Sequence, residues 1–162
     1  MERRTLGRTR EELSIIGFGG ILIMNETSED AKRIVRKAIE KGINYFDAAP
    51  SYGDAEEKLG PALEPFRKEV FLACKTLERT KEGAWKELTE SLKRLRIDHI
   101  DLYQFHAITT YEDIEKIFAP DGAMETFLKQ EKYGNFSYKG FGKEKTERRR
   151  REKVGEELVS AC

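Results

Sequence analysis

Four times in succession this chain places a short apolar run of strand character ahead of a segment with helical periodicity. The runs are Ile15 to Ile23, Ile43 to Phe46, Val70 to Cys74 and Ile100 to Phe105. The first is followed by Ala31, Ile34, Val35, Ala38 and Ile39, apolar at intervals of three and four, behind a cap at Ser28 and ahead of a stop at Lys41-Gly42. The next helices are predicted from about Asp54 to Leu63 and from Glu82 to Leu95. After a longer loop a further helix is predicted from Ala123 to Glu131, and a fifth short strand over Tyr138–Phe141. Strands separated by helices of this length pair in parallel through right-handed crossovers, so the fold class is α/β with a parallel sheet. Ahead of them Arg3–Leu6 and Glu12–Ser14 read as two short strands around a turn, and Ile15–Ile23 as a fully buried strand with a glycine-rich exit.

At 162 residues and 18.7 kDa the chain suits one domain with a substantial core. Thirty basic residues balance thirty acidic ones, so no global field draws it to nucleic acid or an anionic membrane. Charged residues make up 37% of the chain, and many are spaced for ion pairing along helix surfaces, as with Glu90 and Arg94. Two cysteines, Cys74 in a predicted buried strand and the terminal Cys162, make no disulfide framework. Two histidines without ligand spacing argue against a metal site. With no secretory h-region and no membrane-length apolar run, the expectation is a soluble, reduced, cytoplasmic protein.

From Lys143 the texture changes. The stretch Lys143 to Lys153 carries seven basic and three acidic residues and almost no apolar face. Residues 1–142 are therefore taken as the domain and 143–162 as a charged tail, helical or disordered. Interspersed glutamates and the lack of flanking aromatics speak against nucleic-acid binding there.

The strand ends carry the chemistry. Alternation along a strand sets which side chains point inward. With Asp47 inward, Tyr45 follows; with Lys75 inward, Ala73 and Phe71; with His106 inward, Gln104 and Leu102. Asp47, Lys75 and His106 are then expected at comparable heights at the C-terminal ends of adjacent strands, where parallel α/β proteins bind ligands. The turn Asp47-Ala48-Ala49-Pro50-Ser51-Tyr52-Gly53 brings Tyr52 back over them. A free phenol has a pKa near ~10, and a neighbouring ammonium favours the phenolate. A carboxylate keeps the lysine charged and fixed, and a histidine can orient a carbonyl oxygen. The set amounts to a general acid for carbonyl reduction, or a base for the reverse oxidation. Hydride would have to come from a cofactor, since no side chain supplies it. Each residue alone has a plainer reading as a cap, an ion pair or a core histidine; the joint arrangement carries the argument.

These stretches resemble the amino-terminal half of the aldo-keto reductase family. The resemblance rests on Arg4–Thr9, Ser14–Gly20, Phe46–Glu56, Leu72–Thr76, Ser91–Leu95 and Asp98–His106, in the family's order and spacing over about residues 3 to 142. It implies a TIM (β/α)₈ barrel with the 3–14 hairpin capping its base, NADPH as hydride donor and an aldehyde or ketone as acceptor. By position, Tyr52 is implied as general acid, Lys75 as the modifier of its pKa, Asp47 as the lysine's partner and His106 as the group that orients substrate. Phe18 is implied to line the site near the nicotinamide, with Gly19, Gly20, Asp47 and Gln104 as cofactor contacts. Gly142 stands where the family usually has a serine that helps hold the nicotinamide amide.

A TIM barrel takes ~250 residues. The expectation is therefore an incomplete barrel of about five parallel strands, truncated after the fifth. The family's later strands supply the aromatic that stacks on the nicotinamide and the basic loop that grips the cofactor's phosphates. Three readings stay open: a reductase impaired by truncation and made whole by self-association or a complementing half-barrel, a catalytically inactive remnant, and a non-catalytic interaction module. A doubly wound nucleotide-binding domain is the alternative fold, but Gly17-x-Gly19-Gly20 lacks the full Gly-x-Gly-x-x-Gly spacing.

Overall fold

The computed structural model describes residues 1–7 and 9–141, so the charged stretch from Lys143 and the Gly142 position lie outside the described residues. Two strands, β1 (Arg3–Thr5) and β2 (Glu12–Ser14), pair antiparallel as a separate hairpin. The main sheet holds β3 (Phe18–Gly19), β4 (Tyr45–Asp47), β5 (Phe71–Thr76), β6 (Ile100–Phe105) and β7 (Phe136–Phe141) in chain order, with every neighbouring pair parallel. Helices α1 (Ser28–Glu40), α2 (Ala55–Leu63), α3 (Lys81–Leu95), α4 (Tyr111–Phe118) and α5 (Ala123–Lys132) make the crossovers. The five-stranded parallel sheet is open among the described residues, with β3 and β7 as its edges.

Strand alternation divides the core as the period of two requires. Phe46, Leu72, Cys74, Tyr103 and Phe105 pack beneath the helices, against Leu59, Leu88, Ile117 and Phe127 among others. Phe71, Ala73 and Leu102 face the other way and meet Leu13 and Leu6 of the hairpin region together with Tyr45 and Tyr138. The hairpin thus covers the inner, N-terminal part of the sheet and leaves its C-terminal ends open. Asn44 secures it, accepting from the Ser14 amide at 2.7 Å and donating to the Glu12 carbonyl at 2.9 Å. A close approach brings α2 onto the end of α3: a Cβ at Gly60 would stand 2.2 Å from the Leu95 carbonyl oxygen.

Three local expectations are corrected. Ile15–Ile23 is not one buried strand. Only Phe18–Gly19 pairs in the sheet, Gly20–Ile23 turns into a 3₁₀ segment, and Ile15, Ile16, Ile21 and Leu22 are at least half exposed. An apolar run gives no period by which to tell strand from helix, and here the backbone must turn where Gly20 presses on β4. Ser28 is the first helical residue of α1; the cap is Thr27, whose hydroxyl accepts from the Asp30 amide at 3.1 Å. The stretch ahead of α5 is not a plain loop but contains α4, opened by a reciprocal capping box between Thr110 and Asp113.

Candidate active site

The site lies at the C-terminal ends of β4, β5 and β6. Ladder register refines the expectation of equal heights. Asp47 stands opposite Ala73 and Lys75 opposite Gln104, while His106 follows β6 two residues beyond Gln104. Each site residue is thus two positions further along than the last, the stagger of strands tilted as in a barrel. The long Lys75 side chain closes the first step by reaching back, its Nζ 2.5 Å from Asp47 Oδ2.

Tyr52 completes the set from the turn after β4. The Lys75 ammonium donates to the Tyr52 hydroxyl at 3.0 Å, and the Tyr52 hydroxyl lies 3.5 Å from Asp47 Oδ2. The turn is held from both ends, with the Ala48 amide donating to Ala73 O at 2.8 Å and the Tyr52 amide to Ala49 O at 3.0 Å. Burial works against the Lys75 ammonium, but its hydrogen bonds to Asp47 and Tyr52 and the Asp47 charge outweigh that and hold its pKa above the ordinary lysine value. Lys75 is therefore a fixed cation in neutral water. Its side chain and that of Asp47 are 12% and 22% exposed, so the pair faces solvent on one side only.

His106 stands edge-on to Tyr52, ring centroids 6.0 Å apart and planes at 87°, with Nδ1 3.5 Å from Ser51 Oγ. Its amide donates to Thr76 O at 2.8 Å, which extends the β5–β6 pairing one step past the ladder. Tyr45 also lies on this face, where burial first and the Asp47 charge second push its phenol pKa up. It stays a neutral wall beside the Asp47–Lys75 pair.

Gly19 pairs with Asp47 across β3–β4. A Cβ at Gly20 would come within 2.7 Å of the Asp47 carbonyl oxygen, so glycine is required for β3 to turn this close to the site. Gln104 lies between Lys75 and Gly140 in the ladder, and a Cβ at Gly140 would meet the Gln104 side chain at 3.3 Å. The structure thus brings Asp47, Tyr52 and Lys75 into direct contact and sets His106, Gly19, Gly20 and Gln104 around them. No group of acidic, histidine or cysteine side chains among the described residues could hold a metal ion.

Sequence reading missed two features. Behind Lys75, on the helix side, Cys74 Sγ donates to Glu56 Oε1 at 3.2 Å and Arg94 Nε to Glu56 Oε2 at 2.6 Å. Burial and the Glu56 charge push the Cys74 thiol pKa well up, so it is an inert structural group. At the loop ends, Arg79 reaches the main chain of His106. Glu56, Arg94 and Arg79 read as ordinary helix and loop charges in sequence, and no local pattern marks them.

A family model described as the aldo/keto reductase family matches residues 15–151. The chain is 33% identical over 154 residues to YqkF, an oxidoreductase of Bacillus subtilis named as uncharacterized, covering 86% of this chain and 48% of that protein. It is 33% identical over 123 residues to the L-galactose dehydrogenase of Arabidopsis thaliana, covering 67% and 39% respectively. The holo form of an aldo-keto reductase from Bacillus halodurans superposes with a TM-score of 0.76 at 30% identity, over 87% of this chain and 50% of that one. The chain belongs to the aldo/keto reductase family, and its open parallel sheet corresponds to part of that family's (β/α)₈ barrel. It spans about half the length, or less, of the relatives it matches.

Proposed function

We propose that this chain carries the proton-transfer part of an NADPH-dependent carbonyl reductase site, with an aldehyde or ketone as substrate. The observation that carries the reading is the Asp47–Lys75–Tyr52 chain of contacts, 2.5 Å and then 3.0 Å, at the open end of the sheet. Tyr52 is the general acid. Its Oη gives a proton to the carbonyl oxygen, and the Lys75 ammonium stabilises the phenolate left behind. Asp47 holds Lys75 charged and aimed, and His106 borders the place where the carbonyl oxygen would sit.

The set fits a nicotinamide cofactor, because Tyr52 and Lys75 can handle the proton of a carbonyl–alcohol conversion while no side chain supplies its hydride. A Cβ at Gly19 would meet only the Ile21 side chain at 3.9 Å, which leaves room beside Asp47, and Gln104 lies opposite Lys75 on the next strand. When bound, the cofactor would supply the hydride. These residues reach its nicotinamide end only. A specific observation therefore favours a shared site: β3 and β7 each pair on one side among the described residues, so the sheet offers two edges to a second copy or a complementing half-barrel.

The test is thermal unfolding of the full chain with and without millimolar NADPH, followed by a carbonyl-reduction assay with Tyr52→Phe as control. Binding to the native state raises Tm, by ~2.7 kcal/mol of added stability at a hundred times Kd. Tyr52→Phe keeps that shift and loses ~10²–10⁴-fold in turnover. A cooperative transition that NADPH does not move, with no turnover, rules the reading out for this chain by itself. The same assay on a complemented assembly then decides it for a shared site.

A further inference from the structure

We propose that Arg79 is a positioning residue for His106, an inference that rests on the reductase reading for its catalytic consequence but not for its geometry. Arg79 lies in the loop after β5, and its guanidinium is spread over three segments. One terminal nitrogen donates to both the His106 and Ala107 carbonyls, at 2.7 and 3.2 Å. The other donates to Leu77 O at 3.0 Å, and Nε to Asp113 Oδ1 at 3.1 Å. The side chains of Arg79 and Asp113 are only 13% and 24% exposed.

Two consecutive carbonyls converge on one nitrogen because Ala107 is left-handed, at φ +50°. A residue with a Cβ adopts that region at a cost, and keeps it only where the surroundings over-determine the backbone. Arg79 supplies that determination. The planar fork satisfies carbonyls that would otherwise face a half-buried loop, and no single-point ammonium can reproduce its geometry.

Asp113 in turn fixes the fork. The same carboxylate closes the capping box of α4, with Oδ2 accepting from the Thr109 and Thr110 amides at 3.3 Å each. The start of α4 and the exit of β5 are thereby tied to the backbone that carries the imidazole. Freed of Arg79, His106 keeps its amide bond to Thr76 O, but its carbonyl side and the left-handed step lose their restraint. The ring then drifts from its edge-on place at Tyr52. Misplacement of about 1 Å can cost ~10²-fold in rate.

The chain has two histidines, which makes the readout direct. His99 sits at the opposite end of β6, bonded to the Gly134 carbonyl and Ser137, and serves as the internal control. The imidazole signals of the full 162-residue chain are followed by long-range nitrogen–proton NMR in Arg79→Lys, Arg79→Ala and Asp113→Asn. Arg79→Lys retains a charge for Asp113 but loses the fork, so the His106 signals shift and the His99 signals do not. Arg79→Ala gives the larger shift, and Asp113→Asn a smaller one.

In the reductase assay Arg79→Lys lowers kcat by ~10–100-fold with little change in KM. His106 signals that superpose on the unaltered chain in the folded variants, whatever happens to Tm, overturn the proposal. If Arg79→Ala does not fold, Arg79→Lys and Asp113→Asn decide it by the same signals. If the unaltered chain shows no turnover while His106 still responds, the reductase reading fails for this chain and the placement of the imidazole by Arg79 stands.

Discussion

Replacing Arg94 by methionine removes one partner of the ion pair behind the site and leaves the other buried. Glu56 is 1% exposed, and its carboxylate is held by Arg94 Nε at 2.6 Å and by the Cys74 thiol at 3.2 Å. Breaking such a pair from one side costs about 3–5 kcal/mol, because a charge is left in the interior without compensation. The Arg94 side chain is 28% exposed, so water reaches the vacated place and the lower end, about 3 kcal/mol, is expected. For a domain of this size roughly 3 °C accompanies each kcal/mol, which puts the fall in Tm at ~9 °C. Urea unfolding of Arg94→Met, Glu56→Gln and the double variant completes the cycle. The neutral pair in the double variant restores more than half of the Arg94→Met loss. A Tm drop under ~4 °C, or a double variant as unstable as the sum of the singles, refutes the reasoning and reduces the pair to a surface contact.

Further outcomes follow from the same contacts. The pKa of Lys75 is raised in the folded chain, so its contribution to stability is full below the unfolded value of ~10.4 and is lost as pH rises through the folded one. The Tm advantage of the unaltered chain over Lys75→Met should therefore be constant from pH 7 to 9 and shrink by pH 11; a constant gap throughout contradicts the shift. Gly60→Ala drives a Cβ to within 2.2 Å of a backbone oxygen that cannot step aside, and should cost ~1–3 kcal/mol by thermal unfolding. An unchanged Tm would mean that α2 and α3 do not approach as described. Tyr52→Phe removes one acceptor of the Lys75 ammonium and should lower stability by about 0.5–1.5 kcal/mol in urea unfolding, a small loss beside the ~10²–10⁴-fold fall in turnover that the proposed reductase role requires.

The order of elements was legible because each depends on neighbours in sequence. Alternation placed Phe71 and Ala73 on the inner face and Leu72 and Cys74 under the helices, as the two core clusters have them. The signal for α4 was also present, in Thr110-x-x-Asp113 ahead of Ile114, Ile117 and Phe118, and a capping pattern should outrank the reading of a long loop. The run Ile15–Ile23 reads as a strand in sequence because uniform apolarity has no period to set strand against helix or turn. Its exposed residues follow from a turn that only contact with β4 imposes.

By itself the sequence determined the parallel α/β alternation, the inward set Asp47, Lys75 and Gln104, and the turn that returns Tyr52 over them. Spacing and local propensity act over a few residues, and those features need nothing more. Only the tertiary structure decided the two-residue stagger between strands that the reach of Lys75 spans, the Glu56–Arg94 pair joining residues 38 apart, and the Arg79 fork joining 79 to 106, 107 and 113. Register and burial set these. A charged side chain gives no sign in sequence of which distant carbonyl or carboxylate it meets until the sheet has closed the distance between them.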